Sequence, residues 1–215
     1  MKLIRNAFLA VAVFASVAVA VCLCWFYLYS GDLPNLSAVA NFTPDSAASV
    51  RDQCSNSSIL AIPSALIGTN LQNATLAAEG QNDEIVAVQI SRTLFCDSRM
   101  KTLTRHLLEY KASVHLRRRF THEQLLTIYL NRAYFGNELI GAENASLQYY
   151  GKHASELDLA QAAMIAGLIK SPTIYSPERH PDRAKQRRDL VIQAMLKNGV
   201  ITAEQAQDAE QSTIR

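Results

Sequence analysis

Metal-ligand spacing is missing from this chain. Its four cysteines, Cys22, Cys24, Cys54 and Cys96, form no Cys-x-x-Cys pair and no His/Cys cluster, so no resident metal site is expected from them. Net charge is nearly missing too, at +2 over 215 residues, which gives no ground for a nucleic-acid partner. No period-2 strand alternation competes with helical patterning, and no internal repeat occurs, so neither a sheet-based nor a repeat architecture is expected. No charge falls anywhere in 7–29, and no acidic residue falls between Asp52 and Glu79. A Glu-Asp dipeptide occurs nowhere.

The charge-free run AFLAVAVFASVAVAVCLCWFYLY at 7–29 exceeds the roughly 20 apolar residues that a membrane span needs. It ends in Trp25, Phe26, Tyr27 and Tyr29, an interfacial aromatic belt, and follows Lys2 and Arg5. The positive-inside rule therefore predicts a cytoplasmic tail over 1–6, a transmembrane helix over 7–29 and an external remainder in a periplasm or equivalent space. Cys22 and Cys24 sit within the span with no small residue before them, so no lipoprotein signal is read. Cys54 and Cys96 fall outside it, where one disulfide and two unpaired thiols are both open.

Residues 30–58 are rich in Ser, Asn, Asp and Pro and read as a linker with little regular structure. The length remaining suits one domain over 59–215. Pro63 and Gly68 argue against a second span and favour a short helix from Ser64. From residue 84 the pattern is helical. Leu103, Leu107, Tyr110 and Val114 recur at steps of four, three and four, which predicts an inward helix face. Thr121 with Gln124 and Thr202 with Gln205 mark helix starts. Leu125, Leu126, Tyr129 and Leu130 form a second apolar face. A buried helix is expected over 157–168, and an amphipathic one over 182–197 with Leu190, Val191, Ala194 and Met195 inward. The fold class expected is all-α.

One segment is strongly basic. Lys101, Arg105, Lys111 and Arg117–Arg119 face a single acid, Glu109, across 101–119. This suggests an anionic partner, either phosphate or an acidic membrane face, against the alternative of a solvated helix face. Arg105 and Glu109 stand four apart and share a face, which by spacing alone is an ordinary helical ion pair.

The runs YLNRAYFG at 129–136, GAENASLQYYGK at 141–152, LAQAAMIAGLIKSPTIYSP at 159–177 and RRDLVIQAM at 187–195 add a second line of reading. Together they resemble glycosyltransferase family 51, the peptidoglycan-polymerising module of class A penicillin-binding proteins. The resemblance covers about 85–205 and is strong over 105–195. It implies a lysozyme-like helical lobe acting on lipid II and nascent glycan strands at the inner membrane, with other cell-wall synthesis proteins as further partners. No transpeptidase domain is expected alongside it within these 215 residues.

The resemblance also assigns roles. Arg105 would hold the pyrophosphate of a lipid-linked donor, with His106 at the family's lysine position. Glu109 would sit beside the leaving group, stabilising charge or holding a divalent cation. A departing pyrophosphate needs positive charge, and a guanidinium fits its oxygens in a bidentate way. Gln89 and Arg92 match a glutamine and a lysine of the second family motif. Asn131 belongs with Tyr134, Phe135 and Gly136 to a mostly architectural signature, and Glu143 is read as structural. Arg187 and Arg188 match the fifth motif and would orient or brace the cleft.

The family's first motif is a Glu-Asp pair whose glutamate is the general base. Alignment puts Ala74-Thr75 there, or Pro63-Ser64 at another offset, and neither is acidic. Glu79 and Glu84 remain as the acids able to substitute. The stretch before Gln89 is also too short for the family's mobile hydrophobic jaw. The expectation is therefore lipid II binding with impaired turnover. The alternative is a non-catalytic glycan-binding or polymerase-docking scaffold.

Overall fold

The computed structural model describes residues 2–29, 33, 36, 38–43, 48–51, 58–80, 82–95 and 102–213. Cys54, Cys96 and Lys101 lie outside these. The chain opens on helix α1, Lys2–Tyr29. Its side chains are described over 11–24, where Val11, Phe14, Val17 and Val21 are exposed. At 1.5 Å per residue that stretch is about 21 Å long, against a hydrocarbon core of roughly 30 Å. Among the described residues no helix is long and apolar enough to cross a membrane.

The segment expected to be a linker contributes structure instead. A 3-10 turn at Ala38–Phe42 buries Val39 and Phe42 in the core. Strand β1, Ala48–Arg51, pairs antiparallel with β2, Ser58–Ala61, placing Ala48 opposite Ala61. Four-residue strands are too short to show an alternation in sequence, and Ser-rich flanks hid this pair. The architecture is therefore mostly helical with one small hairpin, and its core begins ahead of residue 59.

Pro63 starts only a single 3-10 turn, Ser64–Leu66. Helix α2, Thr69–Glu79, begins after Gly68 at φ +77°. A Cβ on Gly68 would meet the Ser155 Cα at 2.8 Å, so close approach and backbone angle both demand glycine. Helix α3, Asp83–Leu94, follows after three residues, 80–82, with the Asn82 side chain accepting from the Glu84 amide. Helix α4 spans Thr102–Arg119. Helix α5, His122–Arg132, carries the expected Thr121/Gln124 capping box. Helices α6, Ala142–Tyr150, and α7, Leu159–Leu168, lead to α8, Pro181–Lys197. Helix α9, Ala203–Gln211, carries the Thr202/Gln205 capping box.

Helix α7 buries Ala160 and every residue from Ala162 to Leu168, and packs against α2 and α8. Helix α3 packs against α4 and α5. These two groups meet the expected α5 and α7 burial, but two expected faces are turned. On α4 the buried residues are Leu108, Glu109, Ala112, Ser113 and Leu116, while Leu103 is 72% and Tyr110 56% exposed. The four-three-four stripe therefore points outward. Two of the five residues on its buried counterpart are polar, and apolar periodicity favoured the wrong side. On α8 Val191 and Met195 are buried as expected, but Leu190 is exposed.

Candidate active site

Helix α4 turns its mixed face toward α3, and this brings charges from two helices together. Arg105 Nε donates to Glu109 Oε1 at 2.9 Å. Arg92 of α3 approaches Glu109 Oε2 at 3.8 Å, and His106 Nδ1 lies 3.4 Å from the same oxygen. The Glu109 side chain is only 5% exposed, whereas those of Arg105 and Arg92 are 33% and 52% exposed. A carboxylate buried this deeply needs cationic partners. Here it has them and leaves both guanidiniums partly open to solvent. Arg105 and Glu109 thus belong to a cross-helix cluster and not to a solvated ion pair.

Arg92 also lines a groove of about 390 Å³, together with Glu79, Gln89, Thr93, Tyr129, Tyr134, Lys170 and Pro172. Arg92 Nη1 donates to Gln89 Oε1 at 3.1 Å, one helical turn back. Tyr129 donates its phenol hydrogen to Glu79 Oε1 at 3.1 Å. Burial pushes the Tyr129 hydroxyl far above its ordinary value, and the charge and hydrogen bond of Glu79 push the same way. Tyr129 therefore stays a donor throughout the physiological range and fixes the Glu79 carboxylate in the groove. The site has one carboxylate on each side of Arg92. Lys170 adds positive charge at the rim.

Glu79, one of the two acids left able to substitute in the first motif, is the one that lines the groove. Ala74 and Thr75 are wholly buried in α2, so an acid at either position would point into the core. Glu79 lies five residues on, the last residue of α2 before Gly80 turns left-handed at φ +89°. The available signal was a single acid at the end of a helix otherwise free of charge. Glu84, the other acid considered, sits exposed on the first turn of α3 and does not line the groove.

The transglycosylase family profile matches residues 85–196. The chain belongs to the transglycosylase family. It is 37% identical over 147 residues to penicillin-binding protein 1A of Aquifex aeolicus, covering 68% of this chain and 20% of that one. Penicillin-binding protein 2a of Streptococcus pneumoniae strain D39 is 35% identical, over 66% of this chain and 23% of its own. A putative transglycosylase of Cupriavidus necator is 36% identical over 57% of this chain and 52% of its own. A crystal structure of penicillin-binding protein 1A from Haemophilus influenzae superimposes with a TM-score of 0.49 at 23% identity, over 74% of this chain and 18% of that one. The chain spans about a fifth of the length of the penicillin-binding proteins it matches.

Within this transglycosylase-family domain, Gln89 and Arg92 line the groove and Glu109, with Arg105 and His106, adjoins it through Arg92, but three other expected contacts take no part in this arrangement. Asn131 is wholly buried; its Nδ2 donates to the Phe42 and Ile62 carbonyls at 2.9 and 2.8 Å, and its Oδ1 accepts from the Ile62 amide at 3.1 Å. Arg188 is 1% exposed and donates to the Ser212 and Glu210 carbonyls at 2.7 and 2.8 Å, tying α9 to α8. Both are braces: the amide of Asn131 bonds to backbone, and Arg188 divides its donors between backbone and the neighbouring Asp189 carboxylate. Arg187 lies against the Gly167 carbonyl and over the Tyr175 ring, where it holds α8 to α7.

Tyr134 and Phe135 divide their roles. Phe135 is fully buried, while Tyr134 is 50% exposed and lines the groove. Glu143 accepts from the Ala154 amide at 2.9 Å and pairs with His153 at 2.6 Å, consistent with a structural part. A divalent cation does not fit at Glu109, because both carboxylate oxygens face Arg105, Arg92 or His106 and a second cation there would be repelled.

Proposed function

We propose that the groove receives the pyrophosphate of a lipid-linked glycan, lipid II, in peptidoglycan synthesis, and that it binds this donor far better than it polymerises it. The observation that carries the reading is the Arg92–Glu109–Arg105 cluster at the groove edge. Two partly exposed guanidiniums held by one buried carboxylate form a surface that stays net positive and presents N–H donors suited to phosphate oxygens. Glycosyl transfer here would form a bond from an acceptor hydroxyl oxygen to the donor sugar carbon and break the bond to the pyrophosphate. The hydroxyl proton would go to Glu79, and the charge leaving with the pyrophosphate would meet Arg105 and Arg92.

Low turnover follows from the connection between α2 and α3. Only residues 80–82 join the two helices, which leaves no segment there to close over an acceptor and exclude water. Membrane attachment through α1 is part of the same reading. It is supported by the 28-residue helix, its charge-free stretch at 7–29 and the exposed valines along it.

Polymerisation of labelled lipid II by the detergent-solubilised full chain tests this reading. Trace glycan product that disappears in Glu79→Gln is expected, because general-base help is worth roughly 10²–10⁴-fold. Abundant long glycan from the wild type would refute the low turnover. Trace product unchanged in Glu79→Gln would remove Glu79 from the chemistry.

A further inference from the structure

The turn after Phe135 carries strain that no internal contact explains. Leu139 donates its amide to the Gly136 carbonyl at 2.8 Å, and Phe135 donates to the Leu139 carbonyl at 2.9 Å. Asn137 and Glu138, the two central residues, have φ of +49° and +62°. This is the type I′ pattern, in which the second central place favours glycine and a longer side chain is strained. Asn137 suits the first place, and its Nδ2 donates to Glu178 Oε2 at 3.2 Å. Nothing comparable holds Glu138. Among the described residues its exposed side chain makes no hydrogen bond and no ion pair. A glutamate kept left-handed without an internal partner points to a role outside the fold.

Glu138 lines a small cavity of about 170 Å³ together with Asn137, Ser176 and Arg179. Tyr134 and Pro172 are walls both of this cavity and of the larger groove that holds Glu79 and Arg92, so the two are neighbours across those side chains. The shared wall is tightly packed: a Cβ on Gly136 would meet the Pro172 Cβ at 3.1 Å. Arg179 is exposed, and its guanidinium, like the Glu138 carboxylate, has no side-chain partner among the described residues. Its backbone is pinned, with the amide donating to Ser176 Oγ at 3.4 Å. The cavity therefore presents one carboxylate and one guanidinium that do not neutralise each other. Pockets for whole small molecules start at roughly 300 Å³, so this one admits a terminal group and not a sugar unit.

We infer that this cavity binds a zwitterionic amino-acid headgroup, an ammonium and a carboxylate on one carbon, carried by a peptide branch of the glycan in the neighbouring groove. Arg179 takes the carboxylate, whose two oxygens fit a guanidinium, and Glu138 takes the ammonium. A branch ending in a single charge leaves one of the two side chains unanswered, which is how the pair discriminates. This rests on the proposed donor groove and deepens it. The Arg92–Glu109–Arg105 cluster meets the pyrophosphate, whereas Glu138 and Arg179 meet the peptide.

The test measures equilibrium binding of three fluorescent lipid II probes to the full chain in nanodiscs. The first carries diaminopimelate in its peptide, whose side chain ends in an ammonium and a carboxylate on one carbon. The second carries lysine there, the same side chain without that carboxylate. The third carries diaminopimelate acetylated on that amine. The wild type should bind the first roughly three- to tenfold tighter than either other probe, charge-assisted contacts being discounted for exposure. Arg179→Gln should erase the difference between the first and second probes, and Glu138→Gly that between the first and third. Glu138→Gly should also raise the denaturation midpoint, because glycine relieves the turn, so its lost selectivity is not lost folding. Arg105→Ala should weaken all three probes alike and leave their ratios intact. Saturable wild-type binding with equal affinity for the three probes would overturn the headgroup subsite and leave the donor groove standing. Selectivity that survives in both Arg179→Gln and Glu138→Gly would place it elsewhere and likewise overturn the subsite. A lower midpoint in Glu138→Gly would make Glu138 part of the fold and overturn its role here. No saturable binding of any probe would sink the donor groove and the subsite with it.

Discussion

Asn131 makes three hydrogen bonds to backbone, at the end of the 3-10 turn at Phe42 and at the residue after β2, Ile62. Removing the amide leaves these groups buried without a partner. Asn131→Ala should cost about 4–6 kcal/mol, from three bonds at roughly 1 kcal/mol each plus a burial penalty of about 1–3 kcal/mol. Chemical denaturation of the detergent-solubilised chain measures it, and the loss should be far larger than for an exposed change such as Leu190→Ala. His153 gives a second residue-scale prediction. The hydrogen bond that the His153 ring donates to Glu143, and then the negative charge of Glu143, raise the His153 pKa above its ordinary 6.5. The folded state therefore holds that proton more tightly than the unfolded chain does. This contribution is fully present below the unfolded value and is lost as pH rises through the folded one. Melting temperatures measured from about pH 5.5 to about pH 8.5 should fall with rising pH more steeply in the wild type than in His153→Gln. Parallel curves would contradict the assignment.

Among the elements, α2 and α4 decide where the chemistry faces, and each does so by packing. Gly68 lets α2 start against the backbone of 154–155. Gly68→Ala combines a clash with an unfavourable φ, so it should destabilise the domain and swing the helix that carries Glu79. The expected readout is a lower denaturation midpoint together with increased iodide access to a tryptophan replacing Tyr134 in the Trp25→Phe background. A neutral result would show that α2 starts elsewhere. Much of the element plan is legible in sequence, because capping boxes at Thr121 and Thr202 and the apolar run of α7 are local signals. The facing of α4 is not. Its buried side contains Glu109 and Ser113: Ser113 bonds to the Tyr110 carbonyl and Glu109 to Arg105 within α4, but the Arg92 that also faces Glu109 comes from α3, elsewhere in the chain. The hairpin at 48–61 escaped notice for a similar reason: four-residue strands are specified by what they pair with.

At the scale of the whole molecule, the transglycosylase resemblance was legible from 105 to 195 because its blocks are dense and ungapped there. It faded ahead of residue 85, where α2 and α3 are joined by only three residues and no alignment offset found an acid. Geometry recovered Glu79, since the end of α2 and the α3 residues Gln89 and Arg92 meet across one groove. The resulting account makes donor binding the central property, with Arg92 and Arg105 as its charge. Equilibrium binding of fluorescent lipid II to the full chain in nanodiscs tests this most directly. Charge-assisted contacts are worth about 1.5–3 kcal/mol, so Arg105→Ala and Arg92→Ala should each weaken binding roughly 10- to 100-fold, while Glu84→Gln leaves it unchanged. Saturable wild-type binding lost in both arginine variants, with their helical circular dichroism intact, is the result predicted. Wild-type affinity retained in both would contradict it.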